Sequence, residues 1–169
     1  NDSAKAQDLL NKVISKTNGY SNELRTPLSY LLGELVDNIV EHSMCKNGFL
    51  FAQYLRRDNS LNICIADDGK SIYNSYIDSG KYVDEICCDE AEALRKASQG
   101  YSTKNRPSSE ARGYGIPTSK AIVVDGLGGD FFIFSGSAFM RHSKGLSQYI
   151  NLPENVSWKG TIILLRIPC

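Results

Sequence analysis

One stretch of the sequence spaces a carboxylate, an amide and an imidazole at intervals of four residues. These residues are Glu34, Asn38 and His42, and they would lie in a row on one edge of a helix, because residues four apart are neighbours on a helical surface. Such an edge can hold a metal ion and a water. A solvated helix face opposite an apolar stripe has the same pattern, so the spacing alone leaves both interpretations open.

A second group of polar residues follows an apolar, strand-like run. The group has the pattern Asp67-x-Gly69-x-Ser71, with carboxylates and a flexible glycine at the end of a predicted strand. Ligand crevices often form at such positions, since loops carry function on a rigid scaffold. A plain Asp-Gly turn is the alternative interpretation.

Two glycines directly precede a later segment with helical periodicity. They occur in Arg112-Gly113-x-Gly115, where bare backbone N–H groups and the helix dipole can receive phosphate oxygens. The segment has neither the P-loop pattern nor a full dinucleotide fingerprint. A turn that closes a loop is therefore the alternative here.

Helices and strands must position these groups. Four segments have the apolar period of a helix, with residues 4–16, 26–43, 88–99 and 116–124 as their approximate bounds. Thr26 is expected to cap the second helix, with Pro27 in its first turn, and Pro117 fits the first turn of the last helix. The region between residues 67 and 115 has no long apolar run and resembles an insertion.

Short apolar or alternating segments predict the strands. Their approximate bounds are residues 48–55, 61–66, 131–134, 138–141, 146–150 and 160–167. The first two are separated by a polar turn and predict a hairpin. Because the strands are not interleaved one-to-one with helices, we expect an α+β fold: a two-layer sandwich of helices over a mixed, mainly antiparallel sheet.

Composition bounds the class of protein. The chain has 169 residues, 41% of them hydrophobic, and this length predicts a single domain over 1–169. Nineteen basic and nineteen acidic residues give no global positive field, so we expect neither nucleic acid nor a membrane as a partner. Five cysteines without a CxxC pair favour reduced thiols in a cytoplasmic domain. Because the chain begins at Asn1, we expect a domain excised from a longer protein.

The candidate groups occur in one order along the chain. The motifs are Glu34-x-x-x-Asn38, Asp67-x-Gly69-x-Ser71, Gly113-x-Gly115 and Gly160-Thr161. In this order and at these separations they resemble the ATP-binding domain shared by DNA gyrase B subunits, heat-shock chaperones, histidine kinases and mismatch-repair ATPases, the GHKL group. The resemblance covers about residues 28–167. It implies a Bergerat-type ATP-binding fold, a long ATP lid over about residues 72–112, and ATP and Mg²⁺ as cofactors.

The resemblance also implies a role for each matching residue. Asn38 would be a Mg²⁺ ligand through its side-chain oxygen, and Glu34 would polarise a water in members that hydrolyse ATP. Asp67 would accept the exocyclic amine of adenine, Gly69 would let the backbone approach the base, and Thr161 would hydrogen-bond near Asp67. The candidates on the phosphate side are Lys104, Arg112, Gly113, Tyr114 and Gly115.

Two positions depart from the family pattern. Ser71 stands in place of the last glycine of its box and Ala111 in place of the first glycine of the lid box, so backbone approach is less free at both. Three functions stay open: a kinase-like signalling domain that passes phosphate to another domain or partner protein, an ATP-hydrolysing conformational switch, and a degenerate nucleotide-sensing module. Glu34 supports the second, and Ser71 and Ala111 support the third.

Overall fold

The computed structural model describes residues 22–42, 44–103 and 115–169, together with Lys5, Asp8 and Lys12. For residues 22–25 and 37–42 the description covers the backbone alone. Most of the predicted first helix, over 4–16, therefore lies outside the described residues, as do Lys104, Arg112, Gly113 and Tyr114. Predictions for these residues stay predictions.

Five α-helices and one π-helical turn occur in residues 22–42, 44–103 and 115–169, and Lys5, Asp8 and Lys12 are helical as well. The helices are α1 (Asn22–His42), α2 (Ile72–Ser79), α3 (Val83–Ile86), α4 (Glu90–Ser98) and α5 (Gly115–Ala121), and the π-helical turn is Ile122–Gly126. No helix in this part of the chain is long and apolar enough to cross a membrane.

Six strands form one sheet. They are β1 (Gly48–Leu55), β2 (Ser60–Asp67), β3 (Asp130–Gly136), β4 (Ala138–Ser143), β5 (Leu146–Asn151) and β6 (Trp158–Pro168). Their order across the sheet is β1-β2-β6-β3-β4-β5, and every pairing among these described strands is antiparallel. The predicted α+β fold is confirmed, with strand bounds extending the predicted ones by a few residues.

The core lies between one face of this sheet and the helices. The sheet contributes alternate residues of its central strands, since successive side chains point to opposite faces. The buried sheet residues are Leu61, Ile63, Ile65, Phe131, Ile133, Met140, Ile163, Leu165 and Ile167. Helix α1 covers them with Leu28, Leu31, Leu32 and Leu35. Leu28, Leu32 and Leu35 belong to the apolar stripe predicted for this helix, and Leu31 was not part of that prediction.

The start of α1 differs from the prediction. The helix begins at Asn22, so Thr26 does not cap it and Pro27 lies inside it rather than in its first turn. A Thr-Pro pair favours a helix start, but the four residues before it are helical as well, so this local preference does not set the start of α1. The missing N–H of Pro27 removes one hydrogen bond from the helix.

The segment expected to be an insertion-like lid is helical in its first part. Helices α2, α3 and α4 enclose a small cluster formed by Tyr76, Ile86 and Ala93, and α4 packs on β4 and β5. Residues 72–98 therefore contain packed helices, and α4 (Glu90–Ser98) corresponds to the helix predicted over 88–99. The later part of the predicted lid, from residue 104, lies outside the described residues.

Strand register sets which polar residues meet at one end of the sheet. Ala66 of β2 is opposite Ile162 of β6, and Ser135 of β3 is opposite Thr161. Residues two apart on a strand share a face, so Asp67 and Thr161 both point to the helix-covered face, as Ser135 does. Three neighbouring strands thus bring polar side chains together at this end.

Candidate functional site

Asp67 is a buried carboxylate at the end of β2. Its side chain is 2% exposed, and it accepts hydrogen bonds from the backbone N–H of Gly69, at 2.9 Å, and of Thr161. Burial raises the pKa of this carboxyl, the two N–H donors lower it, and the neighbouring Asp68 raises it, with a net upward shift. The structure therefore joins three of the predicted site residues around one buried acceptor.

Gly160 lies directly against this aspartate. A Cβ atom built at this position would lie 2.5 Å from the Oδ1 atom of Asp67 and would also overlap its main-chain oxygen. Real Cβ atoms are not found so close to oxygen, so a residue larger than glycine would displace Asp67. The glycine of the Gly160-Thr161 motif is thus required by the close approach of two strands.

Trp158 lies on β6, the strand that carries Gly160, and holds the main chain of Asp67. Its indole Nε1 donates a hydrogen bond to the carbonyl oxygen of Asp67 over 2.7 Å. A buried indole N–H usually needs such a partner. Sequence reasoning did not assign this contact, since it depends on β6 lying beside β2, which no local pattern reveals.

A second polar network surrounds the Ser135 hydroxyl, which sequence reasoning also missed. Its Oγ accepts from the N–H of Ile72 at 2.9 Å, donates to the carbonyl oxygen of Gly160 at 3.0 Å, and lies 2.9 Å from the Oγ1 of Thr161. It therefore ties the start of α2 to the strand that carries Gly160 and Thr161. The one available signal was a lone serine at the inward-facing end of an apolar strand.

Asp68 has a different role from its neighbour Asp67. Its carboxylate accepts from the backbone N–H groups of Lys46 and Asn47, each at 2.9 Å, and from the side-chain amide of Asn47 at 2.7 Å. These donors, chiefly those of Asn47, lower the pKa of Asp68. The Asp68 side chain fixes the segment that leads into β1. The two adjacent acids thus differ: Asp67 is buried and has a raised pKa, and Asp68 is partly exposed and has a lowered pKa.

Ser71 fits its position without strain. It is the N-cap of α2, with φ −66° and ψ 159°, and its Oγ accepts from the N–H of Asn74. A backbone in this region suits any residue, and serine is a preferred N-cap. The departure from glycine at this position therefore imposes no conformational cost in the described structure.

Glu34 lies on α1 beside two leucines of the core and is partly buried. The hydroxyl of Tyr30, one turn earlier, hydrogen-bonds to its carboxylate, and the charge of Glu34 is the main cause of the raised pKa of Tyr30. Asn38 continues the same helix, with its backbone alone described. Sequence reasoning identified Glu34 and missed Tyr30, although the i, i+4 spacing could have indicated the contact.

Gly115 is the first residue of α5, and α5 packs against α1. The helix that carries Glu34 and Asn38 is thus adjacent to the helix that follows the predicted phosphate-binding glycines. No group of three or more His, Cys, Asp or Glu side chains in the described ranges is arranged to hold a metal ion. The predicted Mg²⁺ ligand Asn38 would coordinate through its side-chain amide oxygen. Such an oxygen can bind magnesium together with phosphate oxygens and waters.

The fold and the buried acceptor define a class of nucleotide-binding α+β domain. A family model described as "Histidine kinase-, DNA gyrase B-, and HSP90-like ATPase" matches residues 23–169. The chain belongs to this family, which confirms the resemblance to the GHKL group and supports ATP as its ligand. The comparison with curated proteins found no match.

Proposed function

We propose that this chain is the Mg-ATP-binding domain of a cytoplasmic signalling protein, in which the terminal phosphate of ATP passes to a protein group on another domain or partner. The observation that carries the nucleotide part of the proposal is the Asp67 carboxylate, buried and held by two backbone N–H groups. A buried acceptor in a fixed orientation suits the exocyclic amine of adenine.

In this proposal, different secondary-structure elements bind the base and the phosphates of the nucleotide. Asp67, Gly69 and Thr161 receive the base at the ends of β2 and β6. Glu34 and Asn38 of α1 and Gly115 of α5 would serve the phosphate end. Asn38 would hold Mg²⁺, which would neutralise phosphate charge. Lys104, Arg112, Gly113 and Tyr114 add cationic and backbone donors to the phosphates, as the family pattern implies.

Support for a kinase-like role comes from two short stretches of sequence, Asn38 to His42 and the predicted lid end, Gly113 to Ile116, which are similar to those of histidine kinases. A phosphoryl acceptor would then lie on a flanking domain or a partner protein.

A second candidate function is an ATP-hydrolysing switch, and a specific observation favours it. Glu34 is partly buried and its carboxylate is hydrogen-bonded by Tyr30, which restricts its orientation. An oriented carboxylate next to a phosphate can act as a general base toward water. The third candidate, a degenerate sensing module, loses one of its supports because Ser71 fits its position without strain.

Calorimetric titration with Mg-ATP, Mg-ADP and Mg-GTP tests the site. We expect adenine nucleotides to bind and Asp67→Asn to lose at least tenfold in affinity, since a hydrogen bond to a charged group contributes about 1.5–3 kcal/mol. Asp58→Asn, an exposed aspartate in the turn between β1 and β2, is the matched control. Absence of nucleotide binding by the parent chain would refute the proposal.

ATP labelled at its γ-phosphate distinguishes phosphate transfer to a protein from hydrolysis. Transfer of label to a protein supports the kinase-like role. Release as inorganic phosphate that falls at least a hundredfold in Glu34→Gln, with ATP binding retained, supports the hydrolytic role. Binding without either reaction would contradict both and leave a nucleotide-sensing module.

A further inference from the structure

The face of the sheet turned away from the helix-covered core has a continuous row of apolar side chains. The row lies near the end of the sheet where Asp67 ends β2, and successive cross-strand pairs carry it over all six strands of the sheet. From β1 to β5 its members are Phe49, Ala66, Ile162, Phe134, Phe139 and Ile150. Since opposite side chains on neighbouring strands lie close together, the row is unbroken from one edge of the sheet to the other.

A second row, two residues further along each strand, is apolar over four strands. Its apolar members are Phe51, Cys64, Leu164 and Phe132. On β4 the row continues with Arg141, whose guanidinium lies 5.8 Å from the ring centre of Phe132. Phe49 and Phe51 are 56% and 58% exposed, and Leu164, in the middle of the sheet, is 38% exposed. Exposed apolar surface on this scale is typical of a protein interface.

The third row is polar. From β1 to β3 its members are Gln53, Asn62, Arg166 and Asp130. Arg166 and Asp130 are directly opposite each other on β6 and β3, the two central strands of the sheet. The face therefore changes from apolar to polar along the strands, while each of these rows keeps a similar character across its central strands.

We propose that this face binds the same face of a second copy of the chain, about a two-fold axis that is parallel to the strands and passes between β6 and β3. Such an axis keeps every residue at its level along the strands and exchanges β6 with β3. The first row then packs on the first row of the other copy. Leu164 packs on the partner's Phe132, and Arg166 meets the partner's Asp130. Because the contact is isologous, each of these pairs occurs twice.

Charge and area both favour a second copy as the occupant. The axis brings the positive Arg166 of each copy to the negative Asp130 of the other, so the central charges are self-complementary. Three rows about 7 Å apart on six strands about 4.8 Å apart cover about 600 Å². Two copies would bury roughly 1,200 Å² in total, which reaches the size of specific protein interfaces. Two sheets stacked face to face in this way form a sandwich.

The arrangement has a consequence for the proposed nucleotide sites. The side chain of Asp67 points to the helix-covered face, away from the second copy, and the axis keeps its level along the strands. If the proposed function holds, both sites lie at the same end of the dimer and on its outer surfaces. Dimer formation and nucleotide binding therefore use different surfaces and can be measured separately.

Sedimentation equilibrium on the full chain, at about 1 to 100 μM protein, tests the proposal. We expect the parent to form dimers. Leu164→Glu should raise the dimer dissociation constant at least tenfold, because it buries a charge against an apolar ring. Ile77→Glu on α2 is the matched control, since Ile77 is 40% exposed and lies outside this face, and it should leave the dissociation constant unchanged.

Exchange of the central charges tests the position of the axis. In a dimer of Arg166→Asp the four central charges are all negative, and in a dimer of Asp130→Arg they are all positive, so each variant alone should associate more weakly than the parent. A mixture of the two variants pairs opposite charges across the interface. We expect the mixture to form a heterodimer that is tighter than either variant alone.

Three results would overturn the proposal: a parent chain that stays monomeric over the whole range, a dimer that Leu164→Glu does not weaken, and a mixture no tighter than its components. If Leu164→Glu does not fold, Phe49→Glu on the exposed first row decides in its place. Retained binding of Mg-ATP by monomeric Leu164→Glu would support separate surfaces. Failure of the parent to bind nucleotide refutes the proposed function and leaves the dimer proposal standing.

Discussion

A single methyl group at position 160 would strike the buried aspartate of the site. In Gly160→Ala the new Cβ would lie 2.5 Å from the Oδ1 of Asp67, so the strand ends must separate. We expect ATP affinity to fall more than tenfold and the free energy of unfolding to fall by about 1–3 kcal/mol, as for other overpacked sites. Calorimetry and urea unfolding measure the two effects.

Gly126→Ala is the matched control for this substitution. The nearest atom to its added Cβ is the Ala121 oxygen at 3.9 Å, an ordinary contact, so nucleotide binding should persist. Unchanged affinity in Gly160→Ala would show that Asp67 and Gly160 are not part of the binding site.

The raised pKa of Asp67 predicts how base binding depends on pH. Binding of the adenine amine needs the carboxylate, so affinity should fall as pH decreases through the raised pKa, at a pH above the ordinary aspartate value of 3.8. Adenosine is the suitable ligand, because phosphate protonation then plays no part. Asp67→Asn should bind weakly and show no such titration; a parent chain with pH-independent binding from pH 7 down to 4 would contradict the prediction.

The raised pKa of Asp67 has an opposite effect on the stability of the ligand-free protein. The folded state binds the Asp67 proton more tightly than the unfolded state, so the cost of burying the charge is fully present above the raised folded pKa. That cost is relieved as pH falls through the folded pKa toward 3.8, the unfolded value. At neutral pH the buried Asp67 carboxylate therefore reduces the stability of the ligand-free fold, while the proposed base contact needs its charge.

At the scale of elements, helix α4 depends on its N-cap. The Asp89 carboxylate accepts from the N–H groups of Ala91 and Glu92 and from the side-chain amide of Asn151 on β5. We expect Asp89→Ala to reduce the free energy of unfolding by about 1–2 kcal/mol. Urea unfolding measures this, with Asp84→Ala, an exposed acid on α3, as control; equal effects of the two variants would contradict the assigned cap.

The cap also has a pH signature. The hydrogen bond from Asn151, with smaller contributions from the two backbone donors and from Arg95, lowers the pKa of Asp89 below its ordinary value of 3.8. Its contribution to stability is therefore complete above 3.8 and is lost as pH falls through the lowered folded pKa. The difference in stability between parent and Asp89→Ala should shrink in that acid range.

Strands were predictable from sequence more closely than helices. Alternation of apolar and polar residues located all six strands, because one face of the sheet is buried. Helices α2 and α3 were missed, since they have only eight and four residues and Tyr76 and Ile86 are buried in a cluster shared with α4. The π-helical turn after Ala121 adds a residue to a helical turn, which no propensity rule anticipates.

The residues of the candidate site also differ in how well the sequence predicts them. Asp67, Gly69 and Thr161 were identified because they belong to short motifs in a fixed order. Ser135 and Trp158 were not, because their contacts depend on β6 lying between β2 and β3, a property of the whole sheet. Sequence therefore predicted the residues that we propose contact the nucleotide and not those that hold them.

For the whole molecule, nucleotide binding should increase the free energy of unfolding. A ligand that binds only the folded state adds about 2.7 kcal/mol at one hundred times its dissociation constant, which for a chain of this length corresponds to roughly 5–10 °C in melting temperature. Mg-ATP should produce this shift in the parent and in Asp58→Asn, and not in Asp67→Asn. A shift of the same size in all three would place the nucleotide elsewhere on the molecule.

Strand pairing also determines where this chain can change length. The connection between β5 and β6 has exposed residues at Glu154 and Asn155, and an insertion there leaves the register of β6 intact. One residue added within β6, between Thr161 and Ile163, would turn Thr161 toward the uncovered face of the sheet, since side-chain direction alternates along a strand. Length variation among descendants of this domain is therefore expected at the tip of that connection, and β6 should keep a constant number of residues.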